Sequence, residues 1–109
     1  MIKMYIDDIR IPKGHFDVIT RNSETSKEYM IRYGCPNFIS FDHDLGGDDT
    51  SIDIVKFMIE MDLDSEGDFI PTDFSWYVHS ANPVGSANIN GYLKSYITQK
   101  GKKYNEYNY

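Results

Sequence analysis

Apolar residues in this chain come in short, dense runs, separated by acidic stretches or by segments carrying glycine and proline. The first run, Met1 to Ile6, stops at Asp7-Asp8. Phe16 to Thr20, Asn37 to Phe41 and Phe74 to Val78 are three more, rich in β-branched and aromatic residues. Their length and composition predict four β-strands. The runs are nearly continuous rather than alternating, as in strands covered on both faces.

Between the strands the spacing turns helical. A helix is predicted from about Ser26 to Tyr33, with Thr25 and Glu28 as a capping box and Gly34 and Pro36 as stop signals. Thr50 and Asp53 repeat the capping pattern ahead of a helix that places Ile52, Val55 and Ile59 on one face. MDLDSEGD reads as a polar connector. Asn82-Pro83 suits an N-cap followed by the first helical position, and Ile89, Tyr92, Leu93, Tyr96 and Ile97 keep helical spacing up to Gly101. Pro12 and Gly14 mark IRIPKGH as a loop. The alternation predicts one domain over residues 1–109: an open parallel α/β sheet of about four strands with helices on both faces. The polar, tyrosine-rich residues 101–109 are expected to be a flexible tail.

Composition narrows the function classes. With 109 residues, 40% hydrophobic and 15% aromatic, the chain can bury a core. No apolar run approaches the ~20 residues of a membrane span, and acids stand where a signal peptide would be apolar. A soluble cytoplasmic protein without a membrane partner is expected. The formal charge of −6 disfavours bulk or duplex nucleic acid as a partner, because phosphate backbones need a basic surface. The single Cys35, in the turn YGCP, excludes an internal disulfide and a cysteine-rich zinc site. A local site or a metal could still hold a small anion.

In an open parallel sheet, ligands bind beyond the carboxyl ends of the strands. Strand one ends at Asp7 and Asp8, with Arg10 close behind; strand two ends near Thr20 and Arg21. Strand three runs into Asp42, His43, Asp44 and two glycines; strand four runs into His79, Ser80 and Asn82. The topology therefore gathers two of the three histidines and most of the telling carboxylates on one rim. Adjacent carboxylates repel unless a cation lies between them, and hard oxygens at strand ends suit Mg²⁺ or Mn²⁺. His43 and His79 could supply a base and an acid near neutral pH. Arg10 has the planar fork for a phosphate. Ser80 could donate to an anion, and the amides of Val84, Gly85 and Ser86 open a helix N-terminus toward the same rim. Each group also has a structural reading: Asp7-Asp8 as a loop cap, Asp44 as a turn aspartate bonding its own backbone, the histidines as satisfied core residues, and Asn82 as a cap. His15 reads as surface.

Three blocks, Tyr5-Ile6-Asp7-Asp8-Ile9-Arg10-Ile11-Pro12, Phe41-Asp42-His43-Asp44-Leu45-Gly46 and His79-Ser80-Ala81-Asn82-Pro83-Val84-Gly85, lie in order at strand ends and span most of the chain. In these the sequence resembles the cyclic-phosphate-processing receiver domain family, compact relatives of two-component receiver domains. The resemblance implies a receiver-like (flavodoxin-like) fold and a role in processing cyclic phosphates of nucleotides or RNA ends. It matches Asp7 and Asp8 to the acidic pair with which receivers hold Mg²⁺, and Asp42 to their phosphoacceptor position. Receivers also have a fifth strand ending in a lysine; this chain is expected to stop after strand four and one helix, with Lys94 inside that helix. His43 and His79 are not receiver hallmarks either.

Three functions follow as expectations. The first is a metal-aided phosphoesterase, with Asp7, Asp8 and Asp42 on the metal, His43 and His79 exchanging protons, and Arg10, Ser80, Asn82 and Gly85 around the phosphate. The second is a binding module that senses or sequesters a cyclic nucleotide or other small phosphorylated ligand. The third is a phosphoacceptor receiver using Asp42.

Overall fold

All four strands form one parallel sheet in the order β2-β1-β3-β4. In the computed structural model, residues 1–101 are described, so all but the first residue of the expected flexible tail lies outside the described residues. The elements are β1 (Lys3–Ile6), β2 (Val18–Thr20), α1 (Ser23–Tyr33), β3 (Phe38–Phe41), α2 (Ser51–Asp64), β4 (Ser75–Val78) and α3 (Pro83–Lys100). This is the expected receiver-like α/β arrangement with four strands.

One helix start and one cap differ from the expectation. α1 begins earlier, because Asn22 is its N-cap: the Asn22 side chain accepts from the Thr25 amide at 2.8 Å, and the Thr25 hydroxyl donates back to it at 2.9 Å. An asparagine three residues before the threonine offers a better acceptor for the orphan amides than the threonine does. At α2 the Thr50 side chain makes no capping bond; Asp53 instead forms an ion pair with Lys27 of α1 at 2.6 Å. α2 also runs on to Asp64, through half of the expected connector. It ends where Glu66 and Gly67 take positive φ, the left-handed geometry that closes helices.

The layering departs from two helix-covered faces. Met4, Ile6, Ile39 and Phe41 lie fully buried in one cluster with Met30 of α1, Ile54, Val55 and Met58 of α2, and Ile89 and Leu93 of α3. All three helices thus cover the same face of the sheet. Handedness explains why. The crossovers β2-α1-β3 and β3-α2-β4 both step the same way across the sheet, so right-handed connections put both helices on one side. The step from β1 to β2 runs the other way, and there the connection is a loop, residues 7–17, rather than a helix.

That loop covers the second face with an aromatic row. Phe16 packs on Tyr5 at 5.2 Å and on Phe38 at 6.2 Å, and Lys3 Nζ lies over both phenylalanine rings. Edge strand β4 is barely covered there, and Tyr77 stays 62% exposed. Burying a side chain such as Phe41 completely is worth about 1.5–3 kcal/mol. The helix-covered face therefore carries most of the stability, while the loop-covered face is thin.

Candidate functional site

Register aligns the rim. Ile6 pairs with Phe41, and Phe41 with Val78. The next residue on each strand is Asp7, Asp42 and His79, and the ladder runs one step further through Asp7 N to Thr20 O, Asp42 N to Ile6 O and His79 N to Phe41 O. Side chains alternate across a strand. Ile6, Phe41 and Val78 belong to the helix-covered core, so Asp7, Asp42 and His79 turn toward the loop-covered side. One ligating atom from each lies within 4.8 Å of the others, and both aspartates are buried.

Asp7 is wholly buried and heavily bonded. Its Oδ1 accepts from the amides of Ile9 (3.0 Å) and Arg10 (2.8 Å), its Oδ2 lies 3.0 Å from His79 Nε2, and Arg10 Nε stands at 3.9 Å. Burial pushes its proton affinity up, but the two amides and His79 outweigh burial, and the carboxyl titrates below its usual range. Asp42 goes the other way: burial, then the Asp7 charge, raise it, against smaller opposing effects of His79, Arg10 and Ser80. Two neighbouring carboxylates have been driven apart in acidity by their surroundings.

Beside the pair opens a cavity of about 370 Å³, lined by Asp8, Ile9, Arg10, Asp42, Asp44, Gly46, Gly47, Ser80, Ala81 and Asn82. Its walls are pinned. Arg21 Nη1 donates to the carbonyls of Asp7 (2.9 Å) and Arg10 (2.6 Å), and Arg10 Nη1 to the His79 carbonyl at 3.3 Å. On the other wall, Gly46 and Gly47 take positive φ, which glycine adopts without strain. Leu45 anchors that loop in the core, Ser51 Oγ donates to the Asp42 carbonyl, and Asp49 accepts from the Ser23 amide.

The expected site residues separate into groups. Asp8, Arg10, Asp42, Ser80 and Asn82 line the cavity, and Asp7 and His79 cluster with Asp42 beside it. His43 and Gly85 do not line it. The His43 ring lies against Gly85, where an added Cβ would come within 2.3 Å, and His43 Nδ1 bonds Asp44 at 3.1 Å. Asp44 bonds His43 and Asn82 instead of its own backbone, and the Asn82 bond, followed by the His43 bond, holds its carboxyl below the usual titration range. The Gly85 amide donates to Asn82 Oδ1, and the Ser86 amide to the Asn82 carbonyl, so Asn82 is the helix cap and already takes up both amides. His43 and His79 do not meet across the cavity.

Three contributors escaped sequence reasoning. Ser40 Oγ lies 2.8 Å from His79 Nδ1, and Tyr5 stacks on the His79 ring at 4.5 Å and 5°. Arg21 was placed at the rim, but without its clamp on the Asp7 loop. Residues within strands carry no site signal when read alone. Strand periodicity would still have placed Tyr5 and Ser40 on the face toward which Asp7 and Asp42 turn.

Comparison with protein families matches residues 2–95 to the cyclic-phosphate processing receiver domain. No curated protein and no solved structure matches the chain. Among the described residues, no helix is long and apolar enough to cross a membrane.

Proposed function

This chain belongs to the cyclic-phosphate processing receiver domain family, and on that footing we propose that it is a metal-aided phosphoesterase acting on cyclic phosphates of nucleotides or RNA ends. The observation that carries the reading is the charge balance of the rim. Among the described residues, Asp8, Asp42 and Asp44 line a cavity whose one lining cation is Arg10, with the buried Asp7 carboxylate beside Asp42. A phosphate entering alone would meet like charge; a divalent cation reverses that sign.

The donor set fits such an ion. Asp7 and Asp42 offer hard oxygens suited to Mg²⁺ or Mn²⁺, with Asp8 on the cavity wall. His79 Nε2, bonded to Asp7, orients that carboxylate as an outer partner. When bound, the ion would polarise a phosphoryl oxygen and acidify a water. Arg10, half exposed, keeps guanidinium hydrogens for phosphate oxygens. The Ser80 hydroxyl, also lining the cavity, bonds Asp42 and accepts from the Asn82 amide.

Hydrolysis joins a water oxygen to phosphorus, breaks one ring P–O bond and returns a proton to the leaving oxygen. Of the two histidines, His79 is the better placed to exchange that proton, since Nε2 borders the acidic pair; His43 reaches the cavity only through Asp44. One observation favours a second reading, a binding module for a small phosphorylated ligand: both ring nitrogens of His79 are already engaged by protein groups. The phosphoacceptor reading has less support, because no lysine among the described residues lines the cavity.

The test incubates the protein with Mg²⁺ or Mn²⁺ and a panel of 2′,3′- and 3′,5′-cyclic nucleotides, followed by ³¹P NMR. Conversion to monoester that stops with EDTA is the expected result. A panel bound but returned intact selects the binding module instead.

A further inference from the structure

His79 is gripped from the interior of the sheet by residues that face away from the helices. Asp7 accepts two backbone amides through Oδ1 and presents Oδ2 to His79 Nε2 at 3.0 Å. An ionised carboxylate is an acceptor only, so the hydrogen in that bond belongs to Nε2. In a neutral ring the other nitrogen, Nδ1, must then accept. The group 2.8 Å away is the Ser40 hydroxyl, whose hydrogen is free to rotate toward it. The Tyr5 ring, nearly parallel at 5°, fixes the plane of the imidazole, and Phe16 backs Tyr5 in turn. Ser40 is buried at 4% exposure.

We infer that Ser40 is a positioning residue of the site. Its hydroxyl, with the Tyr5 stack, holds His79 in the Nε2–H form aimed at Asp7 and so sets the orientation in which Asp7 meets a cation. The part concerning the cation rests on the proposed function; the part concerning the ring does not. A serine in the middle of β3 thereby acts on the cavity through two hydrogen bonds, without touching ligand. Groups in this outer position typically change metal affinity 10–100-fold when removed.

The experiment compares wild type, Ser40→Ala, Ser40→Thr and Tyr5→Leu by long-range ¹H–¹⁵N correlation of the histidine rings at mildly alkaline pH, with His79 assigned through its loss in His79→Gln. Mn²⁺ titration and thermal melts run alongside. Wild type is expected to show Nδ1 unprotonated and Nε2 protonated. Ser40→Ala should mix the tautomers and weaken Mn²⁺ binding about 10-fold; Ser40→Thr, which keeps the hydroxyl, should restore both, and Tyr5→Leu should broaden the ring signals. A merely structural serine would lower the melting temperature and leave the ring nitrogens where they were, and that result overturns the proposal. If wild type takes up no Mn²⁺, the functional reading falls, while the ring spectra of Ser40→Ala still decide for or against Ser40.

Discussion

Two sets of buried carboxylates stand at opposite ends of the helices, and they are treated very differently. Asp62, near the end of α2, is completely buried and accepts from the amides of Phe69 and Ile70, the Tyr96 hydroxyl and Lys100 Nζ. Lys100 also donates to the Ile70 carbonyl, so the group ties together the last turns of α2 and α3 and the chain between them. At the rim, Asp7 is bonded well, but Asp42 faces it with little compensation and is pushed up in proton affinity. A buried carboxylate with donors on every side and a lysine against it is architecture. A buried pair left partly uncompensated is the arrangement that the proposed cation site calls for.

That contrast can be broken by exchanging the outcomes. The largest effect is expected from Asp42→Asn, which should cut cyclic-phosphate cleavage about 100-fold or more while raising the melting temperature, since it removes the charge that Asp7 opposes. A mutant that loses both activity and stability would make Asp42 another Asp62. Asp62→Ala should do the reverse: a loss of about 3–5 kcal/mol in urea unfolding, because Lys100 is left buried without its partner, with Mn²⁺ uptake at the rim unchanged. Gly85→Ala comes next, at about 1–3 kcal/mol. Its Cβ would meet the His43 ring, and the cost should shrink in a Gly85→Ala, His43→Ala double mutant.

The smallest effect concerns pH. Asp42 titrates above the unfolded value of about 3.9. The native state therefore binds more protons in that window, and stability falls as pH rises through it. Asp7 titrates below that value, so its contribution is present above about pH 4 and is lost as pH falls through its native titration. Subtracting the urea midpoints of Asp42→Asn from those of wild type should isolate the first slope, and saturating Mn²⁺ should flatten it.

Much of this was legible in the sequence. The four strands, the three helices and the acidic strand ends followed from short apolar runs and their punctuation. Asp7, Asp42 and His79 each follow the last residue of a strand, which the text alone displays. What it did not display was pairing. Nothing local says that Ile6, Phe41 and Val78 share a register, which is what turns three separate strand ends into one cluster. Nor did the two histidines differ on paper. His43 and His79 both follow apolar runs, yet Gly85, 42 positions after His43, leaves room for the first ring to pack away from the cavity. The one-sided helix layer was within reach, since a β1–β2 connection too full of Pro12, Gly14 and His15 to form a helix leaves its face uncovered under the right-handed rule.

The β1–β2 loop unites two mechanical regimes in eleven residues. Its root is bolted by Arg21 and by the Asp7 carboxylate, whereas its apex, Lys13–Gly14–His15, is exposed, and a side chain at Gly14 would meet nothing within 4 Å. Extra residues spliced in at the apex should therefore leave the rim undisturbed. A reporter dye or an affinity handle can ride on this domain a few residues from its candidate site without entering it.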